Sequence, residues 1–120
     1  MKTIGLCMIV KNEVHIIRRC LESVLPLIDY VLVVDTGSSD GTQRVIRDFL
    51  REMVLPGQVI EEPWRDFAYN RSFALQKLRE RPDIEYGLMI DADSVIDYDA
   101  GFDTDRFKQD LRHDLYDVTI

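Results

Sequence analysis

The chain has 120 residues, 46% of them apolar and 31% charged, and a net charge of −7. That length suits one domain, 1–120, or a piece of one, with a real core. The acidic balance argues against a nucleic-acid-binding face, which needs a basic patch, and no apolar run nears the roughly 20 residues that span a bilayer.

Residues 3–10 are nearly all apolar and read as a central strand buried on both faces. Lys11, Asn12 and Glu13 interrupt the run. Val14, Ile17, Leu21, Val24 and Leu25 then recur at helical spacing, and Pro26 closes that helix. Residues 30–34 form a second β-branched run, which ends in the small-residue loop Asp35 to Gly41. Asp40 or Thr42 caps the next helix, whose inner face carries Val45, Ile46, Phe49, Leu50 and Met53. Pro56 and Gly57 stop it.

A short strand over 58–61 leads to a loop and to Asp66, the expected cap of a helix with Phe67, Ala74, Leu75 and Leu78 turned inward. Trp64 and Phe67 can stack on a partner or pack, and packing is the expectation. Arg81 to Asp83 ends the helix, and residues 86–90 make a fourth strand. Beyond Asp93 the pattern weakens: an acidic stretch, a short helix through Phe107, Leu111 and Leu115, and the start of a strand at 116–120. Asp97, Asp99, Asp103 and Asp105 lack the glycine and terminal Glu of a calcium loop and read as a solvated turn.

Alternating strands and helices imply an α/β fold, a mostly parallel sheet with helices on both faces. Ligands in such sheets bind beyond the carboxyl ends of the strands. Polar segments leave those ends at Lys11 to Glu13, at Asp35 to Gly41 and at Asp91-Ala92-Asp93. Two carboxylates spaced by one residue repel each other and favour solvent or a cation; an oxygen-only pair suits Mg²⁺ or Mn²⁺ carrying a phosphate. Arg71, one turn into its helix, sits where the helix dipole disfavours a cation unless an anion accompanies it; its alternative is a surface pair with Asp66 or Glu80. His15 reads as surface, and His113 is given no role. Asp35-Thr36-Gly37-Ser38 spells an aspartic-protease signature, but the helical spacing after it excludes that all-β class. A dehalogenase-like phosphatase carries Asp-x-Asp near its first strand, not its fourth. Cys7 and Cys20 read as buried free thiols, which, with no signal peptide, sets the expectation of a reduced cytoplasmic setting.

The ordered set Met8 to Glu13, Val33 to Thr42, Asp66-Phe-Ala-x-x-Arg71 and Leu88 to Asp93 resembles the N-terminal part of a family 2 glycosyltransferase with the GT-A (Rossmann-like) fold. The resemblance implies a nucleotide-diphosphate sugar, most often a UDP-sugar, as donor, and an acceptor it does not name. It implies nucleotide contacts at Lys11, Asn12, Glu13, Asp35, Gly37, Arg71 and Asp91, and Mn²⁺ or Mg²⁺ on Asp93 with Asp91. Ser72 and Ser94 stand where many relatives carry Asn and Glu. No match for the family's general base precedes Ile120, so the base and acceptor site are expected outside this chain; a non-catalytic nucleotide-binding module and a haloacid-dehalogenase-like phosphatase are the alternatives.

Overall fold

A computed structural model of the chain describes residues 3–96, 101, 103–109 and 116–117. The strands are β1 (Ile4–Val10), β2 (Tyr30–Asp35), β3 (Gly57–Glu61), β4 (Tyr86–Met89) and β5 (Tyr116–Asp117); the helices are α1 (Ile17–Val24), α2 (Thr42–Glu52), α3 (Phe67–Arg79) and α4 (Thr104–Gln109). The sheet order is β3-β2-β1-β4-β5 and every pairing is parallel. β1 is central because its side chains are apolar on both faces. Leu6, Met8 and Val10 join Val31 and Val33 under α1 and α2, while Cys7 joins Leu32 and Val34 under Ala74 and Leu78 of α3. Helices therefore cover both faces, and the α/β fold with a parallel sheet is the one expected.

Three local differences have physical causes. α1 begins at Ile17, not Val14: residues 14–16 form a turn ahead of it, closed by the Ile16 and Ile17 amides donating to the Glu13 carbonyl (3.1 and 2.9 Å), while the Glu13 and Val14 amides, which a helix start leaves free, donate to Thr42 Oγ1 (2.9 Å) and Asp40 Oδ2 (3.2 Å). Pro26 does not end the helix outright; it lies in a 3₁₀ turn, Leu25–Leu27, at whose start its missing N–H is no loss. Phe67 and Trp64 do not pack: they are 58% and 52% exposed. α3 starts at the carboxyl edge of the sheet, so its first turn has little sheet beneath it, and its buried residues are Asn70, Ala74 and Leu78.

Asp66 caps α3 as expected, its carboxylate accepting from the Tyr69 amide at 2.7 Å. α4 covers the first part of the helix expected through Phe107, and β5 adds in parallel to β4; Leu111, His113, Leu115, Asp97 and Asp99 lie outside the described residues. Both cysteines are free and buried. Burial pushes the Cys7 thiol up to about 12 and the Cys20 thiol up to about 11, so both behave as small apolar side chains. No helix among the described residues is long and apolar enough to cross a membrane.

Candidate functional site

Register brings the polar segments to one edge. Val10, Asp35 and Glu61 are level across β1, β2 and β3. Cys7 is level with Met89, so Asp91 and Asp93 leave β4 beside the end of β1. Strand order reverses between β1 and β4, which is where parallel sheets open a ligand crevice.

The first two loops are zipped together. Asn12 takes φ 53°, a left-handed conformation that asparagine tolerates. Its amide donates to Ser38 Oγ and its Oδ1 accepts from the Ser39 amide, both at 2.8 Å. Asp40 Oδ1 accepts from the Thr42 amide (3.0 Å) and the Thr42 hydroxyl, so Asp40 secures the first turn of α2 from one residue before the cap, Gly41, which itself needs φ 94°. Hydrogen bonding, led by the Thr42 hydroxyl, holds the Asp40 carboxyl below its ordinary value.

Asp35 turns inward. Its side chain is fully buried, and Oδ1 accepts from the Gly37 (2.9 Å) and Ser38 (2.7 Å) amides. Burial pushes its pKa up, but the hydrogen bonds from Ser38 and Gly37 outweigh it and hold the carboxyl below the ordinary value. Oδ2 is buried without a hydrogen-bond partner. Gly37 has φ 131°, and a Cβ there would meet no atom, so conformation and not space calls for glycine.

Beside these loops lies an open groove of about 370 Å³, lined by Ile9, Val10, Lys11, Glu13, Thr36 and Trp64. Of the expected contacts it holds Lys11 and Glu13. Thr36 and Trp64 line it too: Thr36 was visible only as the neighbour of an acid, and Trp64 was expected to pack, with stacking as the alternative. Asn70 was also missed. Fully buried, it accepts from the Arg65 amide at 3.0 Å and donates to the Pro63 carbonyl at 3.3 Å, pinning the loop on both sides of Trp64.

Arg71 is half-buried on α3, near enough to the Cys7 thiol to lower its pKa against burial. Asp91 and Asp93 are exposed on the α1 side; the Asp91 carbonyl accepts from Cys20 Sγ at 3.5 Å, and both carboxylates raise the Cys20 pKa. Arg71 and the acid pair thus reach the edge from opposite faces of the sheet. Among the described residues no three His, Cys, Asp or Glu side chains converge as a closed metal cage. Two exposed carboxylates still fit an ion that draws its other ligands from substrate phosphates and water, as Mg²⁺ does.

The geometry defines a parallel α/β domain with an open, polar carboxyl edge. Comparison with known proteins makes this specific. The glycosyl transferase family 2 profile matches residues 6–101. The lipopolysaccharide core biosynthesis glycosyltransferase LpsC of Rhizobium meliloti is 30% identical over 86 residues, covering 72% of this chain and 30% of that protein. An uncharacterized glycosyltransferase of Rickettsia prowazekii is 38% identical over 74 residues, covering 62% of this chain and 23% of its own length. A TPR repeat-containing protein of Synechococcus elongatus is 44% identical over 45 residues, 38% of this chain and 11% of that protein. The chain belongs to glycosyltransferase family 2. It spans less than a third of the length of these relatives.

Proposed function

We propose that this chain is the donor-binding part of a glycosyltransferase that moves a sugar from a nucleoside diphosphate, with UDP the first candidate, to an acceptor hydroxyl. The observation that carries the reading is the shared edge: a groove with Lys11, Glu13 and Thr36 lies beside β1, and the exposed acids Asp91 and Asp93 leave β4 on its other side. In this reading Lys11 and Glu13 contact the nucleoside, and Arg71 supplies positive charge to the diphosphate. Asn12 and Gly37 shape the rim. Asp35 works through its loop: its carboxylate holds the Gly37 and Ser38 amides, which leaves Thr36 to face the ligand.

Asp93, with Asp91, would hold Mn²⁺ or Mg²⁺ against the diphosphate; such an ion, when bound, neutralises the leaving group as the glycosidic bond breaks. Asp91 also serves the ribose. The acceptor hydroxyl needs a general base, and no residue of this chain is assigned that role.

UDP should raise the melting temperature of the chain more with Mn²⁺ than with EDTA, and Asp93→Ala should abolish the difference. A nucleotide panel that produces no metal-dependent shift would sink the reading. A metal-dependent shift that survives in Asp93→Ala would instead remove Asp93 from the metal site.

A further inference from the structure

Trp64 exposes an indole to solvent on a loop that is not loose. Its two chain neighbours are tied by one buried amide, through Asn70 to the Pro63 carbonyl and the Arg65 amide. The Arg65 guanidinium lies 4.6 Å from the centre of the Tyr69 ring, and the Tyr69 hydroxyl donates to Glu62. These contacts present the indole to the groove and leave 52% of its surface exposed. Among the described residues no ring or cation stacks on the indole, and an aromatic face of this kind suits a planar partner.

We propose that Trp64 is the stacking wall for the nucleobase of the donor, and so a determinant of donor affinity and specificity. This rests on the donor-binding reading above. The groove, at about 370 Å³, is at the small end of ligand sites. Ile9 and Val10 supply apolar surface, and Lys11, Glu13 and Thr36 supply polar groups at the rim. A planar heteroaromatic ring matches that arrangement, with its face on the indole and its edge on the rim. The order of the strands says which end of the donor belongs here. Trp64 follows β3, and Asp91 and Asp93 follow β4, with β2 and β1 between. A donor whose diphosphate lies at the acid pair extends its base, not its phosphates, toward Trp64.

Trp64 is the sole tryptophan, so the emission of the chain reports on this position directly. The test titrates the chain with UDP, GDP and ADP in Mn²⁺, following tryptophan emission and, separately, heat by calorimetry. The emission change should share its midpoint with the calorimetric binding curve. Trp64→Ala should weaken binding of the preferred nucleotide about tenfold, the order of one base–aromatic stack, and Trp64→Phe should restore most of it. Pyrophosphate with Mn²⁺ has no base and should bind the parent chain and Trp64→Ala alike. Calorimetric binding that leaves emission unmoved overturns the inference, as does a Trp64→Ala chain that loses UDP and pyrophosphate equally; both outcomes leave the donor-binding reading standing. No heat with any of the three nucleotides overturns both.

Discussion

At the amino edge of the sheet, Asp29 accepts from the Ile4 amide (2.9 Å) and from the Lys108 ammonium (2.6 Å). Arg81 meets Asp83 through two bonds (3.1 and 3.0 Å) while lying 4.4 Å from the centre of the Tyr30 ring. At the carboxyl edge, Lys11, Asp91 and Asp93 are exposed and have no ion pair among the described residues. The short polar side chains there, Asn12, Asp35, Asp40 and Thr42, are spent on backbone amides instead. One edge consumes its charges in holding the fold together. The other fixes its loops with short side chains bonded to backbone amides, and Lys11, Asp91 and Asp93 take no part in that.

Substitution should expose this contrast. Asp29→Ala strands a nearly buried ammonium and a backbone amide, and should cost about 2 kcal/mol. Lys11→Ala at the other edge should stay within about 0.5 kcal/mol of the parent. Urea denaturation measures both, and equal losses would break the contrast.

Asp35→Asn probes the inward-facing group and should cost about 1 kcal/mol at pH 7. The folded state holds the Asp35 carboxyl below its ordinary value of 3.8. Its contribution is therefore complete above that value and is lost as pH falls through the lower folded value. The gap between parent and variant should close in that acid range; a gap independent of pH would show that charge is not what Asp35 supplies.

The smallest effect is a gain. Val54, 89% exposed, sits at φ 51° just past α2. Its amide donates to the Arg51 carbonyl (3.2 Å) and that of Leu55 to the Leu50 carbonyl (2.9 Å), the paired bonds of a helix end that favours glycine. Val54→Gly should stabilise the chain by about 0.5 kcal/mol. Since α2 ends toward the amino edge, the thermal shift with UDP should not change.

The strands and helices were legible because burial imposes periods on the sequence. β1 and β2 are buried along their length, and unbroken apolar runs mark them. Val45 to Leu50 and Ala74 to Leu78 show helical spacing because one face meets the sheet. Phe67 was misplaced by the same rule: it has the inner-face spacing but lies where the sheet has ended. The α1 start differs because residues 14–16 form a turn on the Glu13 carbonyl before the regular helix, and apolar spacing cannot tell such a turn from the first turn of a helix. Within the site, Lys11, Asp35, Arg71 and Asp91-x-Asp93 could be singled out because charge or carboxylate spacing is local information. Thr36 and Asn70 could not, and Trp64 only as an aromatic free to stack or to pack, since a small hydroxyl, an amide and an aromatic acquire a role only from what surrounds them.

By itself the sequence determined the fold class, the family likeness and the three polar segments that close the strands, because hydrophobic period and short motifs are properties of neighbouring residues. Only the tertiary structure decided the strand order β3-β2-β1-β4-β5, the inward turn of Asp35 and the display of Trp64 beside Thr36. Each of these depends on which distant segments pair across the sheet, and on which backbone groups are left for a buried side chain to satisfy.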